Sequence, residues 1–180
     1  MTTHVLIACS KSKSVPSESN LQWMHDSTVE SWKEDWNSQE FIQQPLELYT
    51  GRPFKQQYEL IRGKNDTLVY VISAGAGLIC PGIKIPSYDA TFIRDKGPRT
   101  DEWHYLPEGG IIGMNLSKGD SVVSFAPPNY HKALLQDPNL ELISDILTVA
   151  STSPLASKAR TVLNIHSRSK EVLKVSIMFI

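Results

Sequence analysis

The residues best suited to chemistry lie in a polar loop that follows the first apolar run of the chain. Residues 4–8 (HVLIA) form a short, mostly apolar run that is partly β-branched, which is typical of a buried parallel strand. Cys9, Ser10, Lys11 and Lys13 follow, within the sequence CSKSK. The hydroxyl and ammonium groups of such a loop can bind a phosphate or another anion. Because the glycines and the GK[ST] ending of a P-loop are missing, an ordinary solvated loop is the alternative.

Cys9 supports two interpretations. The neighbouring lysines favour a thiolate, which would make Cys9 a nucleophile. No histidine lies close to it in the sequence, and free cysteines are often buried as small apolar side chains. The sequence therefore favours a structural cysteine at the end of a strand.

A pair of glycines follows the strongest predicted strand. Residues 67–72 (TLVYVI) are nearly all β-branched or aromatic, as in a strand that is covered on both faces. Ser73 comes next, and Gly75 and Gly77 would let the backbone approach a ligand closely with its N–H groups. The third glycine of a dinucleotide fingerprint is missing, and no clear helix begins at Leu78. We therefore predict no dinucleotide and no other cofactor.

Tyr88 and Asp89 follow a loop that contains prolines. An aromatic ring beside a carboxylate suits a flat heterocycle, because the ring can stack and the carboxylate can accept N–H bonds. The carboxylate could equally stabilise a developing positive charge or activate water. A turn aspartate that caps the next segment is the alternative interpretation of Asp89.

The composition limits the classes of function. The 180 residues have a formal net charge of −1, so DNA binding would need a local basic patch. Two cysteines are too few for a disulfide framework, and the histidines show no HxxxH or HxH spacing. We therefore predict no metal site, and a Ser-His-Asp triad is not indicated. Without a signal peptide or a long apolar run, the chain is expected to be cytoplasmic and to make no contact with a membrane.

A helix with two tryptophans is predicted after the first loop. Residues 27–30 (STVE) match a capping box, and Trp32 and Trp36 then fall on one face of a helix over residues 28–41. Both indoles are expected in the core, and base stacking is the alternative.

The remaining segments complete an alternation of strands and helices. They comprise an extended segment or turn at 46–51, a helix between Pro53 and Gly63, a strand at 121–126, a helix at 130–136 capped by Asn129, an ambiguous segment at 140–150, and a mostly helical segment at 154–176. This order favours a single α/β domain, with a mainly parallel sheet and helices on both faces. The loops 9–13, 73–78 and 127–131 would then meet at the carboxyl ends of the strands.

Four motifs, taken in order, resemble those of a known family. The chain carries CSKSK, LYTGRPF, SAGAGL and PSYD. They are similar to the CSKxK loop, LYxSxxF segment, SAxxGLL turn and PYD-type end of an uncharacterised bacterial, phage and archaeal domain family. More distantly, the chain resembles the peroxide-stress protein YaaA family, which has a YTG, SGxYGxL and PYRLEM series. The likeness covers residues 4–92, and it departs from the family in the small residues of SAGAGL and in the serine of PSYD.

The resemblance implies that the chain handles nucleic acids or nucleobases. YaaA-like proteins are associated with DNA binding and protection against oxidative damage, and related domains occur near enzymes that exchange or remove nucleobases. The likeness also implies that Tyr49 and Thr50, and Leu78 after the glycine pair, belong to the site. This implication rests on analogy between folds and motifs.

We therefore expect a nucleotide- or nucleobase-handling enzyme that hydrolyses or exchanges a base at an N-glycosidic bond. The expected roles are Asp89 as the carboxylate near the sugar, Ser73 and the amides of Gly75 and Gly77 as donors to the base or a phosphate, Ser10, Lys11 and Lys13 as the phosphate anchor, and Tyr88 or Tyr49 as the stacking ring.

Two alternatives have no catalysis. The first is a module that only binds DNA or a nucleotide, and a strong salt dependence of its affinity for DNA would support it. The second is a structural or interaction subunit of a phage or defence assembly, with a protein partner. The apolar ending IMFI is the feature that favours this second alternative.

Overall fold

The computed structural model describes residues 1–17, 21–40, 42–150 and 152–163. Within these ranges six strands form one sheet. They are β1 (Thr3–Ala8), β2 (Thr67–Ser73), β3 (Gly77–Ile79), β4 (Ser121–Ser124), β5 (Leu147–Ala150) and β6 (Thr161–Leu163). The order across the sheet is β3-β2-β1-β4-β5-β6.

The sheet is parallel except at one edge. Strand β1 pairs in parallel with β2 on one side and with β4 on the other, so that Leu6 lies between Tyr70 and Ser124. Strands β5 and β6 continue the parallel arrangement. Only β3 is antiparallel, and it returns along β2 with Gly77 opposite Ser73. The predicted α/β class with a mainly parallel sheet is confirmed.

In the described part of the chain, five α-helices connect the strands. They are α1 (Val29–Asn37), α2 (Pro45–Leu48), α3 (Arg52–Ile61), α4 (Pro128–Leu135) and α5 (Glu141–Ser144). The crossover from β1 to β2 and the crossover from β4 to β5 run in opposite directions along the sheet. Because crossovers between parallel strands are almost always right-handed, and right-handed crossovers in opposite directions cover opposite faces, we expect α1 and α3 on one face and α4 and α5 on the other.

The core includes a cluster of aromatic side chains against this sheet. Trp32 and Trp36 of α1 are buried, with ring centroids 6.4 Å apart. The expectation that they face the core is confirmed, and they are not placed to stack on a base from solution. Trp103, in a short 3₁₀ turn (Trp103–Tyr105) within the region expected to be irregular, is also fully buried.

Several predicted boundaries are corrected. Helix α1 ends at Asn37 rather than 41, a position outside the described residues, and its capping box joins Thr28 and Ser31 rather than residues 27 and 30. Part of the segment expected to be extended at 46–51 is helix α2, which begins at Pro45 because proline fits a first helical position. Helix α3 spans Arg52–Ile61, close to the prediction, and Gly63 after it has a φ of +77°.

The later elements also differ in detail. Strand β4 ends two residues before the predicted limit, ahead of Pro127. Proline occupies the N-cap and first positions of α4, so Asn129 lies inside that helix and does not cap it. The ambiguous segment contains both α5 and β5. Residues 154–159 form turns rather than a helix and lead into β6, and residues 164–180 lie outside the described part of the chain.

Two histidines take part in buried hydrogen-bond networks. His131 of α4 bridges two hydroxyls, with Nε2 2.8 Å from Ser124 Oγ and Nδ1 2.7 Å from Ser153 Oγ. His4 of β1 lies between Tyr70 and Asp120, at 3.2 and 3.1 Å. Within the described ranges, no group of three or more His, Cys, Asp or Glu is placed to hold a metal ion, and no helix could cross a bilayer.

Candidate functional site

The segments that follow three strands meet at the carboxyl ends of those strands, as predicted. Strands β2, β1 and β4 are parallel neighbours, so the segments that follow them emerge side by side. The chain runs from β1 to β2 on one side and later returns to β4 on the other. Such a reversal at the carboxyl ends opens a crevice where ligands bind in open α/β sheets. Cys9 Sγ lies 3.4 Å from Tyr130 OH across this point, joining the loop after β1 to the first turn of helix α4, which follows β4.

A chain of buried hydroxyls lies beneath the crevice. Tyr49 OH is 2.7 Å from Tyr88 OH, which in turn is 2.5 Å from Ser73 Oγ. All three residues are almost completely buried. Burial raises the pKa of both tyrosines well above the ordinary value, so both remain phenols at neutral pH. Each hydroxyl therefore has its partner inside the protein.

Ser73 organises the turn that ends β2. Its Oγ accepts hydrogen bonds from the amides of Gly75 and Ala76, at 3.2 and 2.9 Å, in addition to its bond with Tyr88. The amide of Leu78 donates to Gly109 O at 2.8 Å. The serine and the amides around the glycine pair, expected to hold a base or a phosphate, thus have partners within the protein. In this geometry Ser73 and Gly75 position Tyr88.

Gly75 is required by the close approach of the Tyr88 ring. A Cβ on Gly75 would lie 2.5 Å from a ring carbon of Tyr88, which is shorter than the distances between a Cβ and a non-bonded atom in real proteins. The carbonyl of Gly75 accepts a 2.7 Å bond from the indole of Trp32, and the carbonyl of Ser73 accepts a 2.8 Å bond from Trp103. Gly77 has a φ of +99° and packs against Gly109, so it too needs glycine. Two indoles and two glycines therefore fix this turn.

Lys13 lies on the ring of Tyr88. Its Nζ is 4.2 Å from the centroid of Tyr88 and 5.9 Å from that of Tyr49. Its one hydrogen bond within the described residues is to Lys11 O, at a weak 3.5 Å. Burial lowers the pKa of the Lys13 amine, an effect that Cys9 and Asp89 oppose and Lys11 reinforces. Lys11, by contrast, is exposed.

The loop that carries Lys13 is held by the LYTGRPF segment. Thr50 donates its amide to Ser12 O at 2.9 Å, and Lys13 and Tyr49 form an antiparallel bridge. A Cβ on Gly51 would collide with Ser10 Oγ, so the two segments pack without space for a side chain there. The amide contact and the glycine together fix the path of the polar loop.

Asp89 presents its side chain to solvent beside this loop. Its backbone is held by residues 21–23, with its amide donating to Leu21 O and its carbonyl accepting from Trp23 N. The residue is exposed, and its charge reaches the Lys13 amine. Its carboxylate makes no hydrogen bond to the described residues, so the structure does not support the capping alternative.

An open polar cleft of about 790 Å³ adjoins the crevice. Trp23 and Phe92 line it, and Phe92 packs edge-on against Tyr130 with centroids 5.2 Å apart. Sequence reasoning missed both aromatic residues because they stand outside the recognised motifs. Tyr130 lay within a predicted loop at residues 127–131 but had no assigned role.

The comparisons leave the family open. No family model, no curated protein and no solved structure matches this chain. The resemblance to the CSKxK and YaaA families therefore stays a prediction.

The four motif segments nevertheless contact one another in this structure. Residues 12–14 pair with 48–50, Tyr49 bonds to Tyr88, and Tyr88 bonds to Ser73. Ser87 of PSYD, the serine that departs from the family pattern, donates to Val15 O at 2.9 Å. Each motif thus supplies one part of a single contact network around Lys13 and Tyr88.

Proposed function

We propose that this chain is a nucleotide- or nucleobase-handling enzyme that acts at an N-glycosidic bond. One observation carries the proposal: an exposed carboxylate, Asp89, and a half-buried ammonium group, Lys13, share the carboxyl edge of a parallel sheet beside a polar cleft. Cleavage of this bond passes through a cationic sugar and a departing base, which need a carboxylate and donors respectively. The choice of a substrate that contains a nucleobase is supported only by the resemblance of the four motifs to those of the known families.

We assign the proposed roles according to which side chains are exposed and can reach a ligand. Asp89 stabilises positive charge on the sugar, because its carboxylate is free to approach a ligand. Ser10 and Lys11 anchor a phosphate at the rim. The stacking role moves from Tyr88 and Tyr49, whose rings are buried, to Trp23 and Phe92 of the cleft.

The charges of the cleft favour a small substrate over a nucleic-acid chain. Three carboxylates line it (Asp95, Asp101 and Glu102) against two guanidinium groups (Arg94 and Arg99). Arg99 is already paired with Asp101 at 2.6 Å. Because a polyanion needs a basic surface, we propose a free nucleoside or mononucleotide as the substrate.

A thermal-shift panel followed by a base-release assay tests this proposal. Nucleosides, nucleotides, modified bases and short single- and double-stranded DNA are screened first. A ligand at 100 times its dissociation constant adds about 2.7 kcal/mol of stability. If no compound with a nucleobase stabilises the protein at millimolar concentration, the proposal is wrong and a search for a protein partner takes its place.

Asp89→Asn then separates catalysis from binding. We expect it to lower base release by about 100-fold or more while the affinity for the ligand changes little, because the amide keeps the shape and loses the charge. Asp145→Asn is the matched control, since Asp145 is exposed and precedes β5 at the opposite edge of the sheet. Equal turnover in Asp89→Asn and the wild-type protein would remove Asp89 from the mechanism. A stabilising ligand without any turnover would favour the binding-module alternative.

A further inference from the structure

Lys13 and Lys11 are two residues apart but lie in different environments. Lys11 is exposed, whereas Lys13 is half-buried with its Nζ over the ring of Tyr88. Within the described ranges, no carboxylate oxygen lies within 4.0 Å of the Lys13 amine, so the charge has no ion pair there. A protein that needs only an anion anchor has no reason to withdraw one of two such lysines from water.

The surroundings of Lys13 disfavour its charged form. Partial burial removes water from the ammonium, and the ring of Tyr88 replaces only part of that hydration. Every titratable group that acts on it lies nearby: Cys9 and Asp89 favour the charge, and Lys11 opposes it. A lysine that is desolvated next to another cation is the usual form of a nucleophilic amine.

We propose that Lys13 is an imine-forming lysine whose amine captures the C1 carbon of a sugar. This inference rests on the proposed function for its substrate class, and on the position of Lys13 for its chemistry. Asp89 is exposed and its charge acts on the Lys13 amine, so in this scheme it holds the cationic sugar during the attack.

The step conserves atoms and electrons. The neutral amine forms an Nζ–C1′ bond while the bond from C1′ to the base breaks, and the base leaves with the bonding electron pair and the proton that the amine loses. The nitrogen lone pair then forms a C=N bond as the C1′–O4′ bond opens, and O4′ takes a proton from solvent. Water hydrolyses the protonated imine, which restores the amine and releases the sugar. The net reaction consumes one water molecule and needs no oxidant or reductant.

Reductive trapping on the full chain tests the amine without any base. The probe is 2-deoxyribose 5-phosphate with sodium cyanoborohydride, which converts an imine to a stable secondary amine, and peptide mass mapping locates the label. We expect Lys13 to be labelled faster than Lys11 or the exposed Lys84, because a lowered pKa leaves a larger share of the Lys13 side chain as free amine. Labelling of Lys13 no faster than Lys11 and Lys84 would overturn the inference.

Two matched variants complete the test. Lys13→Arg keeps the charge and should abolish the fast label, and Lys84→Arg, at an exposed position outside the site, should leave it unchanged. The comparison among lysines within the wild-type protein remains decisive even if Lys13→Arg does not fold. If the fast label persists in Lys13→Arg, Lys13 is not the nucleophile.

Base release from the nucleoside panel distinguishes this inference from the proposed function. If Lys13 is labelled fast but no base is released, the proposal of an imine-forming lysine is retained. The proposal of an enzyme that acts on N-glycosidic bonds is then rejected. If Lys13 is not labelled fast and Lys13→Arg still releases a base, the proposed enzymatic function is retained. Lys13 is then rejected as the nucleophile. Water guided by Asp89 would then be the attacking group.

Discussion

Acid should destabilise this protein through His131, a buried histidine of helix α4. His131 is 2% exposed and bridges Ser124 and Ser153, and burial lowers its pKa from 6.5 to about 4. In the unfolded chain the imidazole takes up its proton near pH 6.5, whereas the folded protein resists it until about pH 4. Between these values the unfolded state binds more protons, so stability falls as the pH falls. Above about pH 6.5 the effect vanishes.

The size of the effect follows from the difference between the two pKa values. One pKa unit corresponds to about 1.4 kcal/mol, so the full penalty below pH 4 is roughly 3 kcal/mol. Integration from pH 7 to pH 5 gives about 2 kcal/mol. Asp120 acts in a separate window: the amide of Thr2, His4 and the amide of Ser117 hold the pKa of its carboxyl at about 2. Its contribution is lost only as the pH falls from 3.8 towards 2.

Urea unfolding at pH 7 and pH 5 at constant ionic strength measures this penalty. His131→Gln removes the titrating group and keeps a polar side chain between the two serines. The free energy of unfolding of the wild-type protein should fall by about 2 kcal/mol more than that of His131→Gln over this interval. His25→Gln, at an exposed position, controls for the loss of a histidine and should follow the wild-type protein. An identical pH dependence in wild-type protein and His131→Gln would refute the reasoning.

Two further substitutions test the network around Tyr88. Tyr88→Phe leaves the buried hydroxyl of Tyr49 without its partner and removes the side-chain partner of Ser73 Oγ, which keeps its bonds from the amides of Gly75 and Ala76. We therefore expect a loss of about 1–3 kcal/mol in urea unfolding, against about 1 kcal/mol for the control Tyr49→Phe at the end of the chain of hydroxyls. An equal loss in both variants would contradict a central role for Tyr88. Gly75→Ala should cost about 1–3 kcal/mol because its methyl group would overlap the Tyr88 ring, whereas Gly113→Ala, with only an ordinary 3.6 Å contact, should cost far less. A melting temperature of Gly75→Ala as high as that of Gly113→Ala would show that the ring can move aside.

The central strands could be predicted from the sequence because their signal is local. Strands β1 and β2 are continuous apolar runs, and the predicted limits differ from the structure by one residue. Strand β3 was missed because its three residues follow a glycine turn and pair only with β2. Strand β6 was predicted as helix, since a short edge strand at Thr161–Leu163 has no alternation long enough to recognise.

The candidate site could be predicted by residue type but not by exposure. Lys11 and Lys13 are equivalent in the sequence, and only the pairing of residues 12–14 with 48–50 separates them. Tyr88 and Asp89 are adjacent, yet one is buried and the other exposed, because the backbone here runs extended beside residues 21–23. Exposure depends on contacts between distant segments, which no local pattern contains.

The position of the Lys13 amine is set by buried groups. The Tyr88 ring lies under Lys13, and its orientation is fixed by the bond to Ser73, the bond to Tyr49 and the absence of a side chain at Gly75. These groups come from two segments of the chain, the turn at 73–75 and the segment around Tyr49, so a change in either displaces the ring. Because an ammonium over a ring is held by weak, distance-dependent attraction, a displaced ring also releases the amine to solvent. Tyr88→Phe keeps the ring face and loses only its tether, so trapping of Lys13 in that variant measures how far the buried hydroxyls control the reactivity of the amine.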